Sequence, residues 1–364
     1  MSISQVIMIV MAVFFVIGAF DRLFGNRLGM GAEFERAFGL IGPTALSILG
    51  ILALAPVLSG ILKAAITPVV SLIGADASIL PGVLLSCEIS HPICVVIGED
   101  PDIIKFSGLV VGSTMGAVVS FAIPLAVGLI KKEDYRPFAT GILAAYIFNP
   151  LACFIGGVLM GLPALKVLIN LIPVLVLSAI IILSLLLIPN IALKAFRAFA
   201  KFILAVATVG LCAAALEAMI GLTLIPGLDS VQVGFRTAGT IALSLGGSLP
   251  LLYALRKVLN KPLTKLGNKL GINDVAMLSM VIACTSLVPG YSSYGEMNLK
   301  GKVLFAAFSA SMGCLLGCHL GYTASVDQAV VVPMLVSQIC AGIFSMFPAV
   351  FFYRRIFAAE ALKN

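Results

Sequence analysis

The segment 76–98 reads DASILPGVLLSCEISHPICVVIG, and it decides what kind of fold this chain can adopt. It is apolar enough to enter a bilayer, but Leu80-Pro81-Gly82 and the polar run 86–92 interrupt it. Proline and small polar residues in the middle of an apolar segment break a helix. Broken backbone at membrane depth is tolerated only where it is buried in protein or lines a watery cavity. The segment therefore predicts a membrane protein with a helix break beside an internal cavity.

A second interrupted segment, 273–296, reads NDVAMLSMVIACTSLVPGYSSYGE and carries hydroxyl groups on both sides of Pro289-Gly290. Outside these two segments, nine apolar runs are long enough to span a hydrocarbon core of about 30 Å, which takes about 20 helical residues. Counting the interrupted segments, the sequence predicts about nine to ten transmembrane helices. The nine runs lie near 3–20, 37–62, 105–130, 137–160, 167–189, 198–220, 236–255, 302–323 and 329–353.

The composition supports the same class of protein. Of the 364 residues, 61% are hydrophobic and only 11% are charged, whereas a soluble domain has about 25% charged residues. This excludes a water-soluble enzyme, a nucleic-acid-binding protein and a disordered chain. The apolar runs lack the two-residue alternation of membrane strands. We therefore predict an all-α polytopic protein whose solvent is the lipid bilayer.

The distribution of Lys and Arg predicts how the interrupted segments lie in the membrane. If both return to the side from which they came, 19 of the basic residues lie on one side and 4 on the other. If each segment crosses once, the split is 11 against 12. The positive-inside rule favours the first arrangement. It predicts two re-entrant hairpins, hairpin 1 (76–98) and hairpin 2 (273–296), with the N-terminus outside and the C-terminus cytoplasmic.

The two hairpins and their surroundings resemble each other at an offset of 197 positions. Five full spans separate the starts of the two copies, so the copies are predicted to be inverted. Inverted repeats with paired broken helices are typical of secondary transporters, which bind substrate between the breaks. The predicted organisation is a first repeat over 1–163, a linking span over 164–195 and a second repeat over 196–364. The matches include Gly74, Cys87, Pro92, Lys105 and Gly116, which fall on Gly271, Cys284, Pro289, Lys302 and Gly313.

Glu88 is the leading candidate for a functional residue. It lies at the break of hairpin 1 among apolar neighbours, where an acid costs several kcal/mol unless it is paired or protonated. It could pair with the ammonium group of a substrate, carry a proton, or do both. The structural alternative is a carboxyl group that pairs with His91 or bonds to the backbone.

Other polar side chains near the breaks complete the predicted substrate site. His91 and His319 are the only histidines in the chain, and the run 285–294 is unusually rich in hydroxyls for an intramembrane stretch. Asn149 precedes Pro150 and either contacts substrate or satisfies a carbonyl that the proline leaves free. The predicted substrate-binding residues are Ser86, Glu88, Ser90, His91, Asn149, Thr285, Ser286, Tyr291, Ser292, Ser293, Cys318 and His319.

No metal, cofactor or enzymatic activity is predicted. The eight cysteines lie in apolar stretches and are interpreted as buried thiols. Cys314, Cys318 and His319 form an incomplete tetrahedral set of metal ligands. No motif joins Glu88 to either histidine as a nucleophile and its base. The sequence favours a secondary carrier over an enzyme, and it leaves a homo-oligomer open.

Seven short segments, in order over nearly the whole chain, give it a resemblance to a known family. They are 54–58, 74–78, 106–109, 170–174, 271–273, 301–303 and 319–321 (LAPVL, GADAS, FSGL, NLIPV, GIN, GKV and HLG). In these segments the chain resembles the ethanolamine permease family of bacterial ethanolamine-utilisation operons. The resemblance implies a multi-pass protein of the bacterial inner (plasma) membrane that moves ethanolamine.

The chain departs from the family pattern at the predicted site. Where the family has Ala-Cys-Asp-Met-Gly-Gly, residues 86–91 read Ser-Cys-Glu-Ile-Ser-His. The paired Asn of the family are replaced by Ser286-Leu287, and a second family acid is replaced by Cys318. Two functions therefore stay open. One is an amine carrier in which Glu88 pairs with the ammonium, and the other is a carrier of the same fold for a different small polar solute.

Overall fold

The chain folds into a helical bundle, seen in a computed structural model that describes residues 3–358. Within 41–71 and 231–270 the backbone and most side chains are described. No strand occurs among the described residues, which confirms the prediction of an all-α protein.

The first part of the chain contains nine α-helices. Two π-helical segments, Phe106–Gly116 and Val118–Ala122, join the sixth of them to the seventh. The helices are α1 (Ile3–Leu23), α2 (Met30–Gly39), α3 (Ile41–Ser71), α4 (Ile79–Leu84), α5 (Cys87–Ile97), α6 (Pro101–Lys105), α7 (Ile123–Leu129), α8 (Tyr135–Leu159) and α9 (Ala164–Leu187).

The second part contains seven more α-helices, followed by a π-helical turn at Tyr353–Ala358. Left-handed glycines end the first two, Gly221 at φ +70° and Gly271 at φ +68°. The helices are α10 (Pro189–Ile220), α11 (Val231–Leu270), α12 (Asp274–Ala283), α13 (Val288–Ser292), α14 (Leu299–Met312), α15 (Cys318–Val326) and α16 (Val331–Phe352).

Six to seven apolar helices of the described residues are long enough to cross a membrane. The seventh is the segment 101–129, which bends by 41° at Ala117 between its two halves. These helices correspond to seven of the nine predicted runs and make the chain a multi-pass membrane protein. Another predicted run, near 37–62, begins at the end of α2 and lies mostly in the 31-residue helix α3. Some side chains of α3 are outside the described residues. The six unbroken helices are Ile3–Leu23, Lys132–Leu159, Ala164–Leu187, Pro189–Ile220, Val231–Val258 and Gln328–Phe357.

The run 302–323 is not the continuous span that its hydropathy predicts. Helix α14 ends and α15 begins five residues later, with Cys314 in the left-handed region at φ +58° between them. Gly313 and Gly317 bracket this break, and no proline marks it. Hydropathy does not detect the break because its residues are as apolar as the helices around it.

The prediction that all eight cysteines are buried is wrong for Cys212, which is exposed on α10. Cys318 and Cys340 are half-buried. An apolar stretch of a membrane helix faces lipid as readily as protein, so apolar neighbours alone do not place a thiol in the interior.

In each hairpin, the two ends are joined by hydrogen bonds. The Asp76 carboxylate at the start of hairpin 1 accepts hydrogen bonds from the backbone N–H of Glu99 (2.9 Å) and Asp100 (3.1 Å) at its end. At hairpin 2, the Asn273 amide donates to the carbonyl of Glu296 at 2.9 Å. We call these two hydrogen-bonded ends the mouths of the hairpins.

The mouths lie at opposite ends of α8. Asp100 at the mouth of hairpin 1 forms an ion pair with Lys166, in the first turn of α9 and therefore beside the end of α8. Lys302 near the mouth of hairpin 2 pairs with Asp134, directly before α8, at 2.5 Å. A 25-residue helix is about 37 Å long, so the two mouths lie far apart along it.

Glycines allow four long helices to cross closely in two pairs. A Cβ atom at Gly50 of α3 would collide with the carbonyl oxygen of Ala207 in α10, and one at Gly247 of α11 would collide with that of Met11 in α1. Small residues let helix backbones approach closely inside membranes. Gly50 and Gly247 are 197 positions apart, the same offset that relates the two hairpins. The crossing of α3 with α10 therefore has a counterpart in the crossing of α11 with α1.

Candidate functional site

A cavity of about 380 Å³ lies where the breaks of the two hairpins meet. Both hairpins, the π-helical segment Val118–Ala122 and the residues around the start of α15 supply its polar lining, and apolar side chains of α3, α10 and α11 contribute to the other walls. The polar lining residues are Ser86, Glu88, Ser120, Thr285, Ser286, Cys314, Cys318 and His319.

Glu88 lies in the first turn of α5, directly after the break at Leu85-Ser86, where both residues have extended backbone. The residue is only 5% exposed, and its Oε1 atom has no hydrogen-bond partner among the described residues. The positive end of the α5 dipole favours a carboxylate at this position. The cavity therefore contains a buried acceptor that a ligand can satisfy.

His319 occupies the equivalent position at the start of α15, and it is also buried. The Gln338 amide nitrogen lies 3.0 Å from His319 Nδ1 and also donates to the carbonyl of Ser113 at 2.9 Å. An amide N–H can only donate, so Nδ1 accepts in this arrangement. The Nε2 atom is then the ring nitrogen that remains for a ligand.

The hydroxyl groups of the lining differ in what they already bind. Ser120 Oγ accepts from the backbone N–H of Ser86 and donates to the Gly116 carbonyl, both at 2.9 Å. Thr285 Oγ1 donates to the Ile282 carbonyl in the last turn of α12 at 3.0 Å. These two hydroxyls hold the breaks in place. Ser86 forms no capping bond to α5, so Ser86 and Ser286 are the hydroxyls best placed to contact a ligand.

The break before α15 satisfies its backbone by pairing with the tip of hairpin 2. Cys314 N–H donates to the Ala283 carbonyl at 2.8 Å, and Leu316 N–H donates to the Cys284 carbonyl at 2.7 Å. Unpaired backbone groups at membrane depth cost several kcal/mol each. These bonds therefore hold Cys314 and the start of α15 against the cavity.

The structure brings six of the twelve predicted site residues together: Ser86, Glu88, Thr285, Ser286, Cys318 and His319. Ser90 and His91 lie outside the cavity, where Ser90 donates to the Gly108 carbonyl at 3.0 Å and His91 Nδ1 lies 3.3 Å from the Tyr322 hydroxyl. Asn149 is fully buried between helices. Its amide donates to the Thr114 carbonyl at 3.1 Å and accepts from Ser311 at 2.8 Å.

The last part of the hydroxyl-rich run also lies away from the cavity. Tyr291 packs edge-on against Phe138, and its hydroxyl lies 2.8 Å from Ser309 Oγ. Ser292 is exposed and Ser293 is half-buried, and neither lines the cavity. Hairpin 2 thus places Thr285 and Ser286 at its tip, whereas the residues after Pro289 belong to its return path.

Sequence reasoning missed Ser120 and Cys314 in the lining. Ser120 lies four residues before Pro124, which cannot donate to the Ser120 carbonyl, so this proline could have indicated a helix irregularity. For Cys314, the flanking Gly313 and Gly317 were the available signal.

Ion pairs outside the cavity fix the surroundings of hairpin 1. Lys105 Nζ lies 2.6 Å from Asp327 Oδ2. The hydrogen bond from Lys105 lowers the pKa of Asp327, and the hydrogen bond from Lys166 lowers the pKa of Asp100. Both carboxylates therefore stay charged at neutral pH.

The fold and the cavity together define the class of protein. Among the described residues, six to seven apolar helices are long enough to cross a membrane, and a cavity with a polar side lies at the meeting point of two broken hairpins. This is a multi-pass membrane transport protein. The chain belongs to the EutH family, described as "Ethanolamine utilisation protein, EutH", whose profile matches residues 3–352.

Individual relatives are similar over nearly their full length. A "Probable ethanolamine permease EutH" from Listeria monocytogenes is 36% identical over 100% of this chain and 98% of its own. The uncharacterised protein YxeR from Bacillus subtilis is 35% identical over 94% and 93%, and a "Probable ethanolamine permease EutH" from Salmonella typhimurium is 33% identical over 94% of each chain. No solved structure matches the chain. The family is one of permeases rather than enzymes, as the sequence predicted.

Proposed function

We propose that the protein carries a small primary amine such as ethanolamine across the bacterial inner membrane, with the ammonium paired to Glu88. One observation carries the proposal: the buried Oε1 atom of Glu88 faces a cavity and has no partner among the described residues. An ammonium group brings a positive charge and three hydrogen-bond donors. The names of the relatives point to ethanolamine as the amine.

The rest of the lining suits an amino-alcohol. Ser86 and Ser286, at the tips of the two hairpins, offer hydroxyls to the alcohol end of the substrate. Leu245 and Ile203 are among the apolar side chains that accommodate its methylene groups. Among the described residues, Glu88 is the one carboxylate that lines the cavity, so a monocation is matched in charge.

Alternating exposure of the cavity fits two inverted repeats over 1–163 and 196–364, joined by a linking span over 164–195. The matching glycine crossings of α3 with α10 and of α11 with α1 support this organisation. The ion pairs support it as well, because Lys105 and Lys302 are 197 positions apart and each pairs with an aspartate of the other repeat. In this arrangement both hairpins are re-entrant, the N-terminus is outside and the C-terminus is cytoplasmic.

The test of the proposal is ethanolamine binding to the purified protein between pH 5 and 8. Glu88→Gln keeps a side chain of the same size without the charge, and it should weaken binding by about 2–5 kcal/mol, the scale for removing one partner of a buried charge pair. Glu88→Asp restores the acid that the family resemblance implies and should retain partial affinity. The matched control is Glu99→Gln, a carboxylate exposed at the mouth of hairpin 1, which should bind as the parent does.

A carrier of the same fold for a different small polar solute is the alternative. It is favoured by Cys318, a half-buried thiol of the lining where the family pattern has an acid. Unchanged ethanolamine affinity in Glu88→Gln would remove Glu88 from the site and favour an uncharged substrate. An uptake screen of amines, amino acids and nucleosides in proteoliposomes would then identify that substrate.

A further inference from the structure

Three chemically different side chains meet at one edge of the cavity. A carboxylate oxygen of Glu88, the thiol sulfur of Cys87 and a ring nitrogen of His319 all lie within 4.8 Å of one another, and all three residues are buried. Cys87 does not line the cavity and takes no part in the proposed amine site. No sequence pattern connects Cys87 with His319, because they lie on different helices in different halves of the chain.

We propose that Cys87, Glu88 and His319 form a binding site for a soft divalent metal ion such as Zn²⁺ or Cd²⁺. Thiolate, imidazole and carboxylate are the ligands that zinc takes in proteins, and three of them leave a fourth position for water. A thiolate and a carboxylate together neutralise the two charges of the ion, so the filled site carries no net charge. Neutrality is decisive here because an unbalanced charge in a buried site is strongly disfavoured.

The distances allow the site to close. With Zn–S and Zn–N bonds of about 2.3 and 2.0 Å, ligand atoms around a tetrahedral ion lie about 3.5 Å apart. The present separations, none above 4.8 Å, exceed this by at most about 1.3 Å. Small side-chain rotations at the break of hairpin 1 and the start of α15 therefore suffice.

Two unpartnered oxygens supply independent support. Glu88 Oε1 has no hydrogen-bond partner among the described residues, and neither has Gln338 Oε1 beside the His319 ring. A metal-bound histidine donates its other N–H to an oxygen acceptor. Gln338 Oε1 is such an acceptor: with the proton of His319 on Nδ1 and the Gln338 amide rotated, Oε1 would accept from Nδ1 and the lone pair of Nε2 would face the ion, at the cost of the amide's hydrogen bond to the Ser113 carbonyl.

Metal and amine would exclude each other, because both need Glu88. Zn²⁺ or Cd²⁺ would then inhibit amine binding by direct competition. This consequence depends on the proposed function, whereas metal binding itself does not.

The experiment is a titration of the purified full-length protein with Cd²⁺, followed by the ultraviolet charge-transfer absorption of the cadmium–thiolate bond. The background is Cys212→Ser, which removes the exposed thiol. We expect one Cd²⁺ per chain, and at least about 10-fold weaker binding in Cys87→Ser and Cys87→Ala. The control is Cys94→Ser in the same hairpin, a buried thiol that donates to the Ser78 carbonyl at 3.1 Å and should leave Cd²⁺ binding unchanged.

Ethanolamine binding by the same variants separates a lost ligand from a lost fold. Cys87→Ser should retain ethanolamine affinity while losing its sensitivity to Cd²⁺. Absence of stoichiometric Cd²⁺ binding in the background protein, or equal binding in Cys87→Ser and Cys94→Ser, would overturn the metal site. If ethanolamine does not bind at all, the Cd²⁺ titration still tests the site, and thermal unfolding in detergent reports whether each variant is folded.

Discussion

Ser286 and Ser292 are six positions apart in hairpin 2, yet only Ser286 lines the cavity. Ser292 is exposed on the return path, beyond Pro289. Glu88 and Ser90 differ in the same way. The carboxylate of Glu88 faces the cavity, whereas the hydroxyl of Ser90 donates a hydrogen bond to the Gly108 carbonyl. At the scale of single residues, the position relative to the helix break decides whether a polar side chain can reach a ligand.

Ser286→Ala should weaken ethanolamine binding by about 1 kcal/mol, a factor of about five, because a hydrogen bond to the substrate is lost. Ser292→Ala removes the same atom from the same hairpin outside the cavity and should have no effect. Equilibrium binding to both purified variants checks the prediction. Equal losses, or a larger loss in Ser292→Ala, would place the substrate elsewhere.

Two ion pairs connect elements of the first half of the chain to elements of the second. Lys302 and Asp134, which join α14 to the start of α8, are well buried, with side chains 15% and 7% exposed. Lys105 and Asp327 join α6 to the segment before α16 and are more open, at 40% and 24%. Solvent screens the second pair, so its contribution to stability is the smaller one.

Lys302→Met should lower the stability of the protein much more than Lys105→Met. Removing one partner of a buried pair leaves an uncompensated charge and costs about 3–5 kcal/mol. An exposed pair contributes about 0–1 kcal/mol. Thermal unfolding in detergent measures the difference, and Lys302→Met combined with Asp134→Leu should recover part of the loss. Indistinguishable melting temperatures for the two single variants would contradict this ranking.

The ion pairs of Asp327 and Asp100 bear on how ethanolamine binding measured at different pH values is interpreted. Because the pKa of Asp327 and that of Asp100 are lowered in the folded protein, their pairs contribute stability above the ordinary carboxyl value of about 3.9. That contribution is lost only as the pH falls through the lower folded values. Between pH 5 and 8 both pairs are therefore intact, and a change in ethanolamine binding within this range does not arise from their loss.

At the scale of the whole molecule, the two mouths are separated by the length of α8. Asp102 is exposed next to the mouth of hairpin 1, and Glu296 is exposed at the mouth of hairpin 2. The arrangement of the ion pairs places these mouths at opposite ends of the bundle.

Cysteines placed at the two mouths should therefore label from opposite sides of the membrane. In the Cys212→Ser background, Asp102→Cys should react with an impermeant thiol reagent added outside intact cells. Glu296→Cys should react only after the membrane is opened. Labelling of both cysteines from the same side would contradict opposed hairpins. If Glu296→Cys reacted in intact cells and Asp102→Cys reacted only after the membrane was opened, the proposed orientation would be reversed.

By itself the sequence determined the membrane class, the helical type and the presence of an interruption in each hairpin. These features depend on local chemistry, because apolar length, proline and glycine act on the chain where they occur. The prolines of hairpin 1 did not mark where it breaks, since Pro81 lies within α4 and Pro92 within α5, and the break falls between these helices at Leu85-Ser86. The break at 313–317 was missed because it has no proline and is as apolar as the helices around it, and its backbone is satisfied by distant contacts with 283–284.

Only the tertiary structure decided which polar residues share the cavity. A buried hydroxyl or amide at membrane depth can pack between helices, as Asn149 and Tyr291 do, or line a cavity, as Ser86 and Ser286 do. The two cases have the same composition and the same hydropathy. They differ only in the distant partner that satisfies the hydrogen bond, and that partner is fixed by how the helices cross, not by the residues next to it in the chain.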